Sequence, residues 1–185
     1  MDLMQAITTR RSVRKYLPDP VGRETLEALI RAAIQAPSAM NSQPWAFGVI
    51  EGAETLRAYS DRTKTLLLSM AEKMPWIEGY RGMFEDPAFN IFYGAPALVL
   101  ICATPSVHGE GDCAMAAQNL MLAARGMDLG TCWIGFFGFL LNRPEEKAAL
   151  GIPADYQPVA PIIVGRPDGE MPTPEREAPE MLFWK

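Results

Sequence analysis

The sequence predicts a single globular domain in which helices pack against a small, buried β-sheet. Three observations lead to this prediction. The chain has 185 residues, of which 49% are hydrophobic and 21% are charged, and this size and composition are typical of one folded domain. Residues 96–103 form a continuous apolar run, which is the pattern of a strand buried on both faces. Stretches with apolar residues at helical spacing lie on either side of that run.

The first half of the chain contains the patterns of three helices and one strand. Residues 2–9 have apolar side chains at helical spacing, and Asp2 is placed to cap this helix. A second helix is predicted over residues 23–36, because Pro37 has no amide proton with which to continue it. The other two elements are a strand over residues 45–50 and an uneven helix over residues 54–74.

The second half contains the other core elements. Asp112 is predicted to cap a helix over residues 113–125, which is apolar around its circumference except for two adjacent amide residues. Such a helix must be buried nearly all round, either at the centre of one subunit or against a second subunit. Residues 166–185 contain four prolines, so they are predicted to form an extended arm. The remaining elements are strands over residues 131–134 and 159–164 and a short helix over residues 144–150.

The residue counts exclude several classes of site and partner. A single histidine, His108, cannot form a multi-histidine metal centre within one chain. Three widely spaced cysteines without a C-x-x-C pair exclude a zinc ribbon, so we predict no metal site and interpret the cysteines as small hydrophobic residues. The net charge of −5 argues against general nucleic-acid binding, and no apolar run is long enough to span a membrane. Sparse cysteines and a polar N-terminus favour a cytoplasmic protein.

The sharpest local pattern is R-R-S-V-R-K-Y at residues 10–16, directly after the first helix. Guanidinium groups bind phosphate through paired hydrogen bonds, and a serine hydroxyl adds a neutral donor. In a chain with a net negative charge, such a cluster is either a phosphate-binding segment or a solvated basic turn. Its residues alone do not decide between the two.

A second polar pattern, P-S-A-M-N-S-Q-P-W, covers residues 37–45. Amide and hydroxyl side chains offer donors and acceptors without charge, which suits the edge of a heterocycle or a sugar chain. The same residue types are common in capped turns, so this pattern also has two interpretations.

Two further segments bear on ligand binding. Residues 109–114 match G-x-G-x-x-A, but five residues separate them from the preceding strand and two are acidic. We therefore interpret them as a flexible entry loop rather than a dinucleotide fingerprint. Residues 70–93 are dense in aromatic and methionine side chains but also carry charges, which predicts a partly exposed pocket wall.

Taken together, R-R-S-V-R-x-Y and P-S-x-x-N-x-Q-P-W resemble the FMN-dependent nitroreductase family. The resemblance continues through A-A-Q-N-L at residues 116–120 and G-T-C-W-I-G at residues 130–135, and it covers essentially the whole chain, most weakly over residues 62–90. It implies an α+β, three-layer αβα fold with a mostly antiparallel or mixed central sheet flanked by helices. It also implies one domain over residues 1–185 and an intertwined homodimer with two FMN sites at the subunit interface.

The resemblance further implies which residues bind the phosphate end of FMN. Arg10 and Ser12 match residues that hold the phosphate and the neighbouring chain. Arg14 matches the basic position that faces the pyrimidine edge of the flavin, and Arg176 resembles a phosphate-binding residue of the C-terminal arm.

Other residues match the parts of the family site around the ring. Ser38, Asn41 and Gln43 match a loop that the opposite subunit contributes to the same cofactor. Ile134 and Gly135 match backbone amides beneath flavin N5. The complete predicted cofactor-binding set is Arg10, Arg11, Ser12, Arg14, Pro37, Ser38, Asn41, Gln43, Ile134, Gly135 and Arg176.

The activity implied by the resemblance is that of a flavin oxidoreductase. NADH or NADPH delivers hydride to N5, and a small aromatic acceptor, either a nitroaromatic or a quinone, then binds in the same place, which predicts ping-pong kinetics. No catalytic side chain is obligatory, because the cofactor carries the redox chemistry. The alternatives are dehalogenation, ene reduction or flavin breakdown on the same fold, a non-catalytic flavin-binding dimer, and a plain α/β interaction module.

Overall fold

A four-stranded antiparallel sheet forms the centre of the computed structural model, which describes residues 1–185. The strands are β1 (Trp45–Glu51), β2 (Ala97–Ala103), β3 (Gly130–Trp133) and β4 (Gln157–Gly165). Their order in the sheet is β1-β2-β4-β3, so β1 and β3 are its opposite edges. Every residue of β2 is buried, as its unbroken apolar run predicts.

Helices cover both faces of the sheet and give three layers. They are α1 (Leu3–Thr9), α2 (Arg23–Ala33), α3 (Ala53–Ser69), α4 (Arg81–Glu85), α5 (Gly109–Gly126), α6 (Phe137–Leu141) and α7 (Pro144–Ala149). Val99 and Ile101 of β2 lie in a core shared with α2 and α5, whereas Leu98 and Leu100 lie in a second core shared with α3 and α6. This alternation follows from the two-residue period of a strand. The predicted α+β three-layer fold is confirmed.

Most predicted elements lie where the sequence places them. Asp2 caps α1 and forms a reciprocal capping box with Gln5, and residues 166–185 contain no helix or strand. Helix α2 ends at Ala33, three residues earlier than predicted, because residue 36 precedes a proline, and this position disfavours helical backbone. Helix α3 ends at Ser69 rather than at residue 74. A short 3₁₀ helix (Pro75–Tyr80) and α4 follow, and neither was predicted.

The predicted start of α5 was wrong. The helix begins at Gly109, so residues 109–112 are its first turn rather than a flexible loop, and Asp112 is not its cap. The buried Asp112 carboxylate instead accepts the Ala39 amide proton, at N–O distances of 3.2 and 3.3 Å. Local sequence cannot reveal this, because the donor lies on a distant segment of the chain.

Helix α5 is not fully covered within one subunit. Ala116 and Leu120 are completely buried, whereas Met115 and Gln118 on its other side are exposed. The apolar side of α1 is also exposed, including Leu3, Met4 and Ile7. None of the helices combines the length and the apolar character needed to cross a membrane.

Candidate functional site

The basic segment R-R-S-V-R-K-Y lies along the outer edge of β3. The Val13 amide donates to the Thr131 carbonyl at 3.0 Å, and Ser12 pairs with the same residue in a parallel bridge. On the other side, the Leu17 amide donates to the Arg166 carbonyl at 2.9 Å. The segment is therefore fixed between a core strand and the start of the C-terminal arm.

Four arginines line one cavity of about 490 Å³. Its lining contains no carboxylate, and none of the ion pairs in the structure includes one of these arginines. Four arginines without a carboxylate partner favour an anionic ligand at this cavity, and guanidinium geometry suits phosphate. The lining residues are Arg10, Arg11, Ser12, Arg14, Met171, Pro172, Pro174 and Arg176. We call this space the basic cavity; it brings together all the residues predicted to bind phosphate.

A second cavity of about 390 Å³ shares Arg14 with the first and is mostly apolar. Its lining residues are Arg14, Trp76, Ile91, Tyr93, Cys132, Trp133, Ile134, Gly135, Phe136 and Phe139. Arg14 lines both cavities, and its guanidinium carbon lies 6.0 Å from the centre of the Tyr93 ring. We call this space the aromatic cavity. The two together can accept a ligand with an anionic end and a flat apolar end.

The wall of the aromatic cavity contains residues that the sequence reasoning missed. Trp76 belongs to the aromatic segment predicted to form a pocket wall, but Phe136 and Phe139 were not singled out. The Trp76 ring lies parallel to Phe136, with centroids 6.3 Å apart, and 5.7 Å from Phe139. The sequence F-F-G-F directly after G-T-C-W-I-G is the pattern from which Phe136 and Phe139 could have been predicted.

The two backbone amides predicted to lie beneath a flavin ring differ in their hydrogen bonding. The Ile134 amide donates to the Pro161 carbonyl at 2.8 Å and thereby extends the pairing of β3 with β4. The Gly135 amide makes no hydrogen bond, and Gly135 is exposed. Of the two, the Gly135 amide is the one free to donate to a ligand.

The polar loop before β1 lies far from both cavities. The Ser38 hydroxyl accepts the Gln43 amide proton at 2.9 Å, and Asn41 and Gln43 have positive φ angles, a conformation that costs free energy in residues other than glycine. Neither cavity includes Pro37 or these three residues. The loop precedes β1, whereas the basic segment lies outside β3, so about 14 Å of sheet separates them. One chain does not bring these two parts together, and the contribution of the loop to a partner's site stays a prediction.

The three cysteines are buried and free of disulfides. Burial raises the pKa of Cys102 to about 11 and that of Cys113 to about 12. It also raises the pKa of Cys132, although the charge of Arg14 and a hydrogen bond with Ser12 oppose this effect. His108 is exposed and lines neither cavity. No activated thiol or general base faces the site.

A thiol reagent tests this arrangement. Because thiolate is the reactive form and the pKa values of Cys102 and Cys113 are raised, both should react very slowly with an aromatic disulfide reagent at pH 8 in the native protein. All three thiols should react fully once guanidinium chloride unfolds the chain. Rapid reaction of either Cys102 or Cys113 in the folded protein would contradict their burial.

Comparison with known proteins identifies relatives over nearly the whole chain. The family described as "Nitroreductase family" matches residues 7–166. A protein of Methanothermobacter thermautotrophicus with the provisional name NADH dehydrogenase/NAD(P)H nitroreductase is 32% identical, over 90% of this chain and 78% of its own. The 5,6-dimethylbenzimidazole synthase of Rhodospirillum rubrum is 33% identical, over 91% of this chain and 83% of its own. The crystal structure of a Bacteroides fragilis nitroreductase with bound FMN has a TM-score of 0.83 at 24% identity and covers 99% of this chain and 97% of that one.

Proposed function

The chain belongs to the nitroreductase family, and on this basis we propose that it is an FMN-dependent oxidoreductase that uses NADH or NADPH to reduce nitroaromatic or quinone-like acceptors. The observation that carries the proposal is that Arg14 lines both the basic and the aromatic cavity. This arrangement fits a cofactor that has a phosphate at one end and a planar ring at the other. A solvated basic turn would not need four arginines without a carboxylate partner around a single space.

The residues of the basic cavity fit the phosphate of FMN. A phosphate monoester carries nearly two negative charges near neutral pH, and each hydrogen bond to a charged group contributes about 1.5–3 kcal/mol. Arg10, Arg11, Ser12 and Arg176 would hold the phosphate, and Arg14 would lie where the basic cavity meets the ring. These contacts can anchor the cofactor without a covalent bond.

The aromatic cavity fits the ring and the substrates that bind against it. When bound, FMN supplies the redox chemistry, since its ring can accept a hydride and pass it on. The free Gly135 amide would provide a neutral donor to the ring. The side chains of Trp76 and Phe139 would exclude water and favour a flat apolar acceptor by stacking. Apart from Arg14, a buried thiol and Tyr93, no ionisable side chain lines this space, so protons would come from solvent.

The functional unit in this proposal is a homodimer. The polar loop at residues 37–43 lies at the edge of the sheet opposite the basic segment, so a second chain is needed to bring Ser38, Asn41 and Gln43 to the cofactor. The exposed apolar sides of α1 and α5 supply surface that a second subunit would cover.

An absorption spectrum tests the proposal. The purified protein should show a flavin band, or acquire one with added FMN, and anaerobic NADH or NADPH should bleach it. Adding a quinone or a nitroaromatic compound should then restore the full band. A protein that neither contains nor binds FMN would disprove the proposal, and bound FMN that neither donor reduces would indicate a non-catalytic flavin-binding dimer.

A second experiment distinguishes between the reactions that are possible on this fold. If the reduced protein is exposed to air without an acceptor, the proposed oxidoreductase should recover its original flavin absorbance. Permanent loss of that absorbance, with a new product from the ring, would instead assign flavin breakdown. Halide release from a halogenated aromatic acceptor would assign dehalogenation.

A further inference from the structure

Two glycines face each other across β3 and β4 beside the basic segment. Gly130, the first residue of β3, pairs directly with Gly165, the last residue of β4, so the same face of the sheet lacks two neighbouring side chains. Neither glycine has a left-handed φ angle. The reason for glycine at these positions is therefore space rather than backbone conformation.

The space is filled by two residues of the basic segment. A Cβ atom on Gly130 would lie 2.6–2.9 Å from three side-chain carbons of Val13. A Cβ atom on Gly165 would lie 2.8 Å from the ring of Tyr16 and 2.6 Å from Pro96. These distances are shorter than carbon atoms tolerate, so any side chain at either glycine would push the basic segment off the sheet.

Val13 and Tyr16 are also hydrogen-bonded to each other. The Tyr16 hydroxyl donates to the Val13 carbonyl at 2.9 Å, and both side chains are at least nine-tenths buried. Burial raises the pKa of Tyr16 far above its usual value, which keeps the hydroxyl protonated as a donor. Arg14 lies between the two anchors and is exposed, so their position determines where its guanidinium group enters the two cavities.

We propose that Gly130 and Gly165 are positioning residues for the cofactor phosphate, which rests on the proposed function. They let Val13 and Tyr16 pack directly on the sheet backbone, and this contact fixes the arginines and Ser12 relative to each other. Charge-assisted hydrogen bonds to phosphate need N–O distances near 2.8 Å. A shift of the segment by the thickness of one methyl group would break several of them together.

The test compares FMN with riboflavin, which has the same ring but no phosphate. Fluorescence titration of the apoprotein gives both dissociation constants for wild type and for Gly130→Ala. We expect Gly130→Ala to weaken FMN binding at least about tenfold, which corresponds to between half and nearly all of one charged hydrogen bond. Riboflavin binding should weaken much less. General destabilisation would weaken both. The matched control is Gly126→Ala, four residues upstream, where a Cβ meets no atom within 4 Å.

A compensating change makes the test specific. In Val13→Gly/Gly130→Ala the new methyl group occupies the space left by the Val13 side chain, all three carbons of which would otherwise lie within 2.9 Å of it, so the preference for FMN over riboflavin should return to within about threefold of that of Val13→Gly alone. We expect the double variant to show this preference for FMN even if Gly130→Ala alone does not fold. The proposal is overturned if folded Gly130→Ala keeps the wild-type preference, or if the double variant is insoluble or shows no recovery. If the wild-type apoprotein binds neither flavin, the proposed function itself fails.

Discussion

Replacing Arg10 with alanine is expected to weaken FMN binding by about 10- to 100-fold and to leave riboflavin binding nearly unchanged. Arg10 lines the basic cavity, and its guanidinium group belongs to none of the ion pairs of the structure, so it is free for an external anion. Removing one charge-assisted hydrogen bond costs about 1.5–3 kcal/mol. The measurement is a fluorescence titration of the apoprotein with each flavin.

The control for this experiment is Arg23→Ala. It removes the same charge from an exposed position in α2, where Arg23 pairs with Glu27, and should leave both dissociation constants unchanged. Arg176→Ala tests the contribution of the C-terminal arm separately, and should also reduce the affinity for FMN only. An equal loss of affinity for FMN and riboflavin in Arg10→Ala would show that Arg10 supports the fold instead of binding phosphate.

The elements that could be predicted are those whose cause lies within a few residues. The Asp2 cap of α1 depends on Gln5 three residues away, and the burial of β2 follows from its own unbroken apolar run. Likewise, the basic segment could be recognised as a candidate phosphate-binding segment because its charges are adjacent in sequence, although a solvated basic turn remained the alternative. The convergence of the more distant Arg176 on the same cavity came from the family resemblance, since nothing in its local sequence indicates it.

The features that could not be predicted depend on contacts between distant segments. The partner of Asp112 is the amide of Ala39, so a rule for local caps assigned the carboxylate to the wrong amide. The Ile134 amide is used in pairing with Pro161, which becomes visible only when the strand register is known. The role of Gly130 depends on Val13 lying against it, and glycine in a short strand gives no local sign of this.

The aromatic cavity depends on a second set of long-range contacts, made by α3. The Ser60 hydroxyl accepts the Ile91 amide proton at 3.0 Å, with both residues almost completely buried. One turn later, the buried ammonium group of Lys64 donates to the carbonyls of Asp86 and Phe89 at 3.1 and 2.8 Å. These bonds fix the segment that carries Ile91 to the wall of the aromatic cavity.

Replacing both of these α3 residues, in Ser60→Ala/Lys64→Met, should therefore affect the acceptor side of the site and the stability of the chain. Each buried polar group left without its partner costs about 1–3 kcal/mol, so we expect the free energy of unfolding to fall by about 3 kcal/mol and the melting temperature by about 6–12 °C. Thermal unfolding checks the stability. Steady-state kinetics should show a higher KM for the acceptor, because Ile91 and Tyr93 shift.

The preference of this variant for FMN over riboflavin should stay that of the wild type, because the basic segment forms backbone hydrogen bonds with β3 and the arm and none with α3. This is the opposite of the pattern expected for Arg10→Ala, so the two variants separate the phosphate end of the site from the acceptor end. The matched control, Ser69→Ala/Lys73→Met, makes the same replacements at exposed positions, where Ser69 bonds only within its own helix. If the control lowers the melting temperature as much as Ser60→Ala/Lys64→Met does, the buried bonds of α3 are not what holds the cavity wall.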